Sequence, residues 1–183
     1  MILFGRMAAK SGGRLGTRYR RSVQRLARRP WFAALGRRLA PVDRLLYRAT
    51  GGRLTVLGPQ GAAMPSTCLL TTTGRRSGRA RTTPVMYLEH GAALVVSSES
   101  FGQHRPAAWA LNLDADPLAT VQVGNQLIAC RARRATPAEV DRFWPRLVSA
   151  WPAHEDYLAR SGVRKMFVLE PADIDAAATP IGG

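Results

Sequence analysis

The chain has 183 residues, enough for one domain with a real core but cramped for two, and its 27 Lys and Arg against 12 Asp and Glu give a formal charge of +15. The excess is local: residues 1–53 hold 14 basic side chains against Asp43 alone and the rest of the chain holds 13 against 11, which excludes a uniformly basic nucleic-acid-binding core and leaves a basic tether suited to an anionic surface. Cys68 and Cys130 stand in apolar runs without His at metal-ligand spacing, and no apolar stretch is long enough for a bilayer span or placed as a secretory leader, so buried thiols, no metal and a reducing cytoplasmic compartment are expected.

Residues 1–18, with Gly5, Gly12, Gly13 and Gly16 set between Arg and Lys, carry too little apolar surface to pack, and a disordered basic arm is expected. Residues 19–53 read as a basic amphipathic helical extension. From Trp31 the apolar positions Trp31, Leu35, Leu39, Val42 and Leu46 recur at spacings of three and four, opposite Arg37, Arg38, Arg44 and Arg48. Pro41 is expected to split this helix and Gly51-Gly52 to end it. Short β-rich runs follow at 54–57, 67–73, 82–88, 92–98, 119–123, 126–133 and 166–169. His90-Gly91 and Gly124-Asn125 supply hairpin turns, and connections so short demand antiparallel pairing. Pro84 within a run marks a bulge or an edge. A short helix is predicted over 106–113. A longer one opens at the capping box Thr136-Pro137-Ala138-Glu139, bends or breaks at Pro145 and Pro152, and ends at Gly162. The fold class is α+β, six or seven antiparallel strands with intervening helices forming a roll or small barrel over residues 54–175, with 176–183 a flexible tail.

The most informative segment lies between the runs 67–73 and 82–88. There the chain breaks at Gly74 into a loop carrying Arg75, Arg76, Arg79 and Arg81. Gly74 and Gly78 permit backbone angles closed to other residues, so peptide N–H groups can turn inward, while guanidinium forks take phosphate or carboxylate bidentately. No Lys-Ser or Lys-Thr closes a P-loop, and Gly-x-x-x-Gly is not the dinucleotide fingerprint, so the expected ligand is a polyanionic small molecule other than ATP or NAD. The competing reading is a solvated, charged hairpin loop.

Three separated motifs occur in one order: Leu70 to Pro84, Ser98-Glu99-Ser100-Phe101-Gly102, and Pro106 to Pro117 with Trp109, Asn112 and Leu113. With Trp144-Pro145, Trp151-Pro152, Tyr157 and the final Val168-Leu169-Glu170-Pro171, the span from Leu54 to Pro171 resembles the deazaflavin-dependent nitroreductase family, whose members use coenzyme F420 to reduce quinones or nitro compounds. The resemblance implies a split β-barrel of the flavin-reductase type binding the reduced 8-hydroxy-5-deazaflavin, whose tail carries a phosphodiester and an oligoglutamate. Such a tail needs several fixed donors, and Arg75, Arg76, Arg79 and Arg81 offer them. By resemblance, Ser77, Arg81, Thr83 and Pro84 line the cofactor's path, Ser97, Ser98 and Gly102 give backbone contacts to ring or tail, and Trp109 and Asn112 support it. The substrate-facing positions correspond to Met86, Trp151, His154 and Tyr157. Glu99 departs from the family pattern; beside a polyanion it must point away or pair with an Arg.

The reaction so implied is hydride transfer from ring carbon five to a planar electron acceptor, a quinone, nitroaromatic or similar electrophile, with no catalytic triad required. Tyr157 or His154 would orient or protonate the acceptor oxygen, as water equally can. Each residue also has a plainer reading: His154 as a solvated surface residue, Trp151 and Tyr157 as core aromatics, Trp109 packing helix on sheet, Asn112 capping the turn at Asp114. The Trp31/Phe32/Leu35/Leu39 face either meets an anionic membrane, placing the protein peripherally on the inner face of the plasma membrane, or covers the barrel. The alternatives to F420 are an FMN- or haem-binding barrel and, last, a nucleic-acid module working through the arm. A homodimer is compatible with the sequence, which contains nothing that compels one.

Overall fold

The computed structural model describes residues 14–60 and 65–172, the side chains of 14–17 excepted. The first helix, α1, spans Arg14–Ala27 and so begins inside the stretch expected to be disordered; residues 1–13 and the expected tail at 176–183 lie outside the described residues. Helix α2 spans Pro30–Ala49 without interruption. Pro41, expected to split it, sits inside it on the exposed side. Proline at the first position, where the N–H is unpartnered in any case, opens α2.

The two-residue strands β1 (Leu54–Thr55) and β2 (Gly58–Pro59) form a small hairpin. Strands β3 (Thr67–Thr73), β4 (Ala80–His90), β5 (Ala93–Ser98), β6 (Leu118–Val123), β7 (Gln126–Arg134) and β8 (Lys165–Pro171) close into a barrel in the order β3-β4-β5-β8-β7-β6, every pairing antiparallel. Between β5 and β6 lie a single 3-10 turn (Ser100–Gly102) and α3 (Ala108–Ala115). Helices α4 (Pro137–Ala150) and α5 (Ala153–Ser161) precede β8.

Period-two alternation builds the barrel interior, where Cys68, Leu70, Val85, Tyr87, Leu94, Val96, Val121, Ile128, Phe167 and Leu169 meet. The outward side of β5 and β8 is covered by α4 through Phe143 and Leu147 against Val95 and Val168. Phe143 is fully buried, and truncating such a ring costs on the order of 3–5 kcal/mol. The capping box at Thr136 and Glu139 forms as read, Pro145 stays within α4, and the break falls at Trp151-Pro152.

Pro84 marks an edge rather than a bulge. Residues 80–86 of β4 pair with β3 in continuous register, and pairing with β5 begins only at Tyr87. The missing proline N–H therefore falls where β4 has one strand neighbour.

Candidate functional site

The candidate residues fall in three places: the arginine loop, the turn after β5, and an apolar cluster beneath α1 and α2.

The loop from Gly74 to Arg79 is closed at its neck. Gly74 donates its N–H to the Arg79 carbonyl at 2.9 Å, and its own carbonyl accepts from Ser77 and Gly78 at 3.0 and 2.7 Å. A side chain at Gly74 would put Cβ 2.8 Å from Ser77 Oγ and 3.1 Å from the Arg79 carbonyl oxygen, and Gly78 turns the chain at φ +64°, an angle that favours glycine. The buried Asn112 of α3 pins the base: its Nδ2 donates to Thr72 Oγ1 at 3.0 Å and its Oδ1 accepts from the Arg75 N–H at 3.2 Å. Asn112 thus does more than cap the turn at Asp114. The expectation of inward-turned peptide donors needs correction, because the N–H groups of Arg75, Ser77 and Gly78 are all taken within the protein. The guanidinium groups and the Arg76 N–H are the donors left over among the described residues. Arg75, Arg76, Arg79 and Arg81 are exposed, and among the described residues none of them pairs with a carboxylate. Arg44, on the polar face of α2, adds a fifth guanidinium next to Arg81: its Nη1 donates to the Thr82 carbonyl at 2.8 Å. Thr83 and Pro84 follow, half-buried, along the same strand.

The turn after β5 holds Ser100 and Phe101 at φ 51° and 53°, left-handed angles that cost non-glycine residues about 1–3 kcal/mol each. Hydrogen bonds from Gly102 N–H to the Glu99 carbonyl and from Gln103 N–H to the Ser100 carbonyl hold it, and the Phe101 ring leans on Tyr157 with centroids 5.7 Å apart. Glu99 neither points away nor meets an arginine. It is 3% exposed, its Oε1 accepts from the Ser97 hydroxyl, and its Oε2 lies 2.6 Å from His154 Nδ1. His154 is accordingly buried rather than solvated, its ring edge against Trp144 at 6.0 Å. Ser98 is buried and Ser97 half-buried beside it. Gly102 abuts Arg160, whose Nη1 donates to the Arg28 carbonyl and whose Nη2 is buried without a hydrogen-bond partner among the described residues.

Trp151, Tyr157 and Met86 do come together, in one apolar cluster with Val23 and Ala27 of α1 and Phe32 and Ala33 of α2. Tyr157 is 5% exposed and its hydroxyl donates to the Ala27 carbonyl at 3.0 Å; burial pushes its pKa up. Helix α1 is further fastened by Arg28 to Asp156 at 2.6 Å and by Gln24 to the Ala150 carbonyl at 3.1 Å. The apolar face of α2 is divided. Phe32 and Ala33 pack inward, while Trp31, Leu35, Val42 and Leu45 are exposed along one line of the helix. Trp109 packs α3 onto the barrel through Phe167, centroids 6.0 Å apart. Burial raises the pKa of both thiols, that of Cys130 to about 11. Among the described residues no His, Cys, Asp or Glu cluster suits a metal.

The family model for F420H(2)-dependent quinone reductase matches residues 41–171. The F420H(2)-dependent quinone reductase Rv1261c of Mycobacterium tuberculosis (strain ATCC 25618 / H37Rv) is 30% identical over 112 residues, 60% of this chain and 73% of that protein. Among solved structures, an F420-H2 dependent reductase (FDR-A) superposes with TM-score 0.52 at 27% identity, covering 57% of this chain and 93% of the other. A chain described as a domain-swapped dimer superposes with TM-score 0.55 at 25% identity, covering 71% of this chain and 94% of its own.

Proposed function

Since this chain belongs to the F420H(2)-dependent quinone reductase family and is an oxidoreductase drawing on reduced coenzyme F420, we propose that its arginine loop grips the cofactor's anionic tail and that its acceptor is a planar quinone. The observation that carries this is the loop itself: four guanidinium groups that, among the described residues, pair with no carboxylate, on a frame whose peptide donors at Gly74, Arg75, Ser77 and Gly78 are already used. The phosphodiester and glutamates of the tail match that donor set, and the orphaned Nη2 of Arg160 beside Gly102 offers one more charged donor near the turn. Arg75, Arg76, Arg79 and Arg81 would hold the tail, with Ser77, Thr83 and Pro84 along its path. The backbone at Ser97, Ser98 and Gly102 would meet the ring, with Trp109 and Asn112 behind. The bound cofactor supplies a hydride from ring carbon five. The protein's part is placement, and holding two reactants at near-attack distance supplies ~7 kcal/mol or more of barrier lowering. Met86, Trp151 and Tyr157 would form the apolar wall for the acceptor, and nitroaromatics are the second acceptor class to try.

Titration of the protein with F420 and with FMN, followed by fluorescence, tests the reading. Micromolar F420 binding with FMN weaker is expected; FMN binding with no F420 binding would overturn it.

A second reading concerns location. No described helix is long and apolar enough to cross a membrane. Trp31 (55% exposed), Leu35, Val42 and Leu45 (69% exposed), flanked by Arg37, Arg38 and Arg48, favour peripheral contact with an anionic bilayer. Such contact would bring lipid-soluble quinones within reach of a protein on the inner face of the plasma membrane. Sedimentation with anionic vesicles at low and moderate salt checks it; equal partitioning after deletion of residues 1–53 counts against it. The likeness to a domain-swapped dimer makes a homodimer the assembly to test, by light scattering.

A further inference from the structure

A buried carboxylate and a buried imidazole in contact, away from the arginine loop, call for a reason. Glu99 and His154 are 3% and 6% exposed, and Oε2 and Nδ1 are 2.6 Å apart. Desolvating both groups is costly, and the contact length is that of a charge-assisted bond. The remaining Glu99 oxygen is taken by the Ser97 hydroxyl, so the carboxylate is held at both ends.

The position of the pair is informative. Glu99 lies between Ser97-Ser98 and Gly102, the segment assigned to the ring of the cofactor. His154 lies three residues after Trp151 and three before Tyr157, on one face of the α4–α5 corner, next to the wall assigned to the acceptor. The pair therefore joins the two halves of the proposed site. Nδ1 is committed to Glu99, while Nε2 makes no hydrogen bond among the described residues and the side chain keeps 8% of its surface open. Trp144 faces the ring, with the Arg164 guanidinium on the indole at 4.8 Å, and Glu155 and Asp156 follow on α5. Tyr157, the other candidate donor, has its hydroxyl directed to the Ala27 carbonyl.

Resting on the reductase reading above, we propose that His154 is the proton donor to the reduced acceptor and that Glu99, braced by Ser97, is its positioning residue. Hydride addition leaves a quinone as a hydroquinone monoanion. The imidazolium of His154 then gives its Nε2 proton to the anionic oxygen, forming the O–H bond and breaking the N–H bond. The imidazole left behind is neutral, still donating Nδ1–H to the Glu99 carboxylate, and water returns the proton to Nε2. Two electrons and one proton pass from the reduced cofactor as hydride, and the proton lost on its oxidation balances the one taken from solvent. The arrangement follows the logic by which a carboxylate fixes the tautomer and orientation of a catalytic imidazole.

The test compares wild type with His154→Asn and Glu99→Gln on two acceptors: a simple naphthoquinone, which needs a proton, and the N-methylphenazinium cation, which becomes neutral on accepting hydride alone. His154→Asn is expected to slow quinone reduction by about a hundredfold, to leave phenazinium reduction and F420 affinity by fluorescence within about twofold, and to be rescued by added imidazole. Glu99→Gln is expected to slow quinone reduction by about tenfold. Independently of turnover, the ring nitrogen resonances of His154 in the cofactor-free protein should show Nδ1 protonated in wild type and partial loss of that proton in Glu99→Gln. Should either variant fail to fold, wild type alone decides: a solvent deuterium effect of about two is expected with quinone and none with phenazinium. Equal losses on both acceptors without imidazole rescue, or equal deuterium effects, overturn the proposal. Failure of wild type to bind F420 would instead remove the reductase reading on which it rests.

Discussion

Asn112 donates from one amide atom to Thr72 and accepts with the other from the Arg75 N–H, so one side chain of α3 fixes both the end of β3 and the loop that leaves it. Asn112→Leu would leave a buried hydroxyl and a peptide N–H unpaired, a loss of about 1–3 kcal/mol. Urea unfolding is expected to show that loss, and fluorescence titration a weaker hold on F420. Asn112→Asp keeps the acceptor for Arg75 and should fall between the two. Unchanged affinity in the leucine variant would mean that α3 does not position the loop.

The exposed arginines are expected to govern binding rather than turnover. Arg76→Ala and Arg81→Ala should each weaken F420 affinity by about tenfold, in line with the loss of one charge-assisted contact, and the deficit should shrink as salt is raised. Maximal turnover at saturating cofactor should change little, because these groups hold parts remote from the reacting carbon. Kinetics at varied cofactor concentration separates the two effects; a fall in kcat with unchanged affinity would reverse the assignment.

At the other end of the site, Tyr157→Phe removes the hydrogen bond to the Ala27 carbonyl and keeps the ring. A loss of about 1 kcal/mol is expected, concentrated in the docking of α1, so trypsin should cut earlier at Arg25 and Arg28. Trp151→Ala and Tyr157→Ala should instead change which acceptors are used.

Acid stability has a local source. Hydrogen bonds from Arg133 first, then from the Thr136 N–H, hold the Glu139 carboxyl down at about 2. Its folded value lies below the unfolded one of about 4.3, so the stabilisation is present above that value and is lost as pH falls through about 2. Glu139→Gln should flatten the decline of the melting temperature between pH 5 and 2. At neutral pH, Thr136→Ala should cost about 1 kcal/mol through the lost cap, a drop of about 2–4 °C. A Glu139→Gln acid profile parallel to wild type would place the sensitivity elsewhere.

Strand positions were legible because period-two alternation is a local signal: the run 67–73 matches β3 to the residue, and the hairpin turns at His90-Gly91 and Gly124-Asn125 carry the pairings expected. The arginine loop and the capping box could be read for the same reason. What escaped were contacts made across long sequence distances. Nothing near Glu99 announces His154, 55 positions away, and nothing near Arg44 announces the Thr82 carbonyl. The proline expected to break α2 does not, because Pro41 lies on the exposed side, where the carbonyl it leaves unpaired can be hydrated. The start of α1 at Arg14 was missed because its helical pattern is dominated by arginine. Its packing depends on contacts with α5 and the end of α4 that no local window contains.

The last strand, β8, bonds to β5 on one side and β7 on the other, and the first helix rests on the fifth. A chain leaving the ribosome therefore presents its arginine-rich helical pair with only the β1–β2 hairpin close behind it, and neither the barrel nor its cover can be completed until nearly all of residues 14–171 have emerged. In that interval the apolar side of α1 stays wet until α5 has been made.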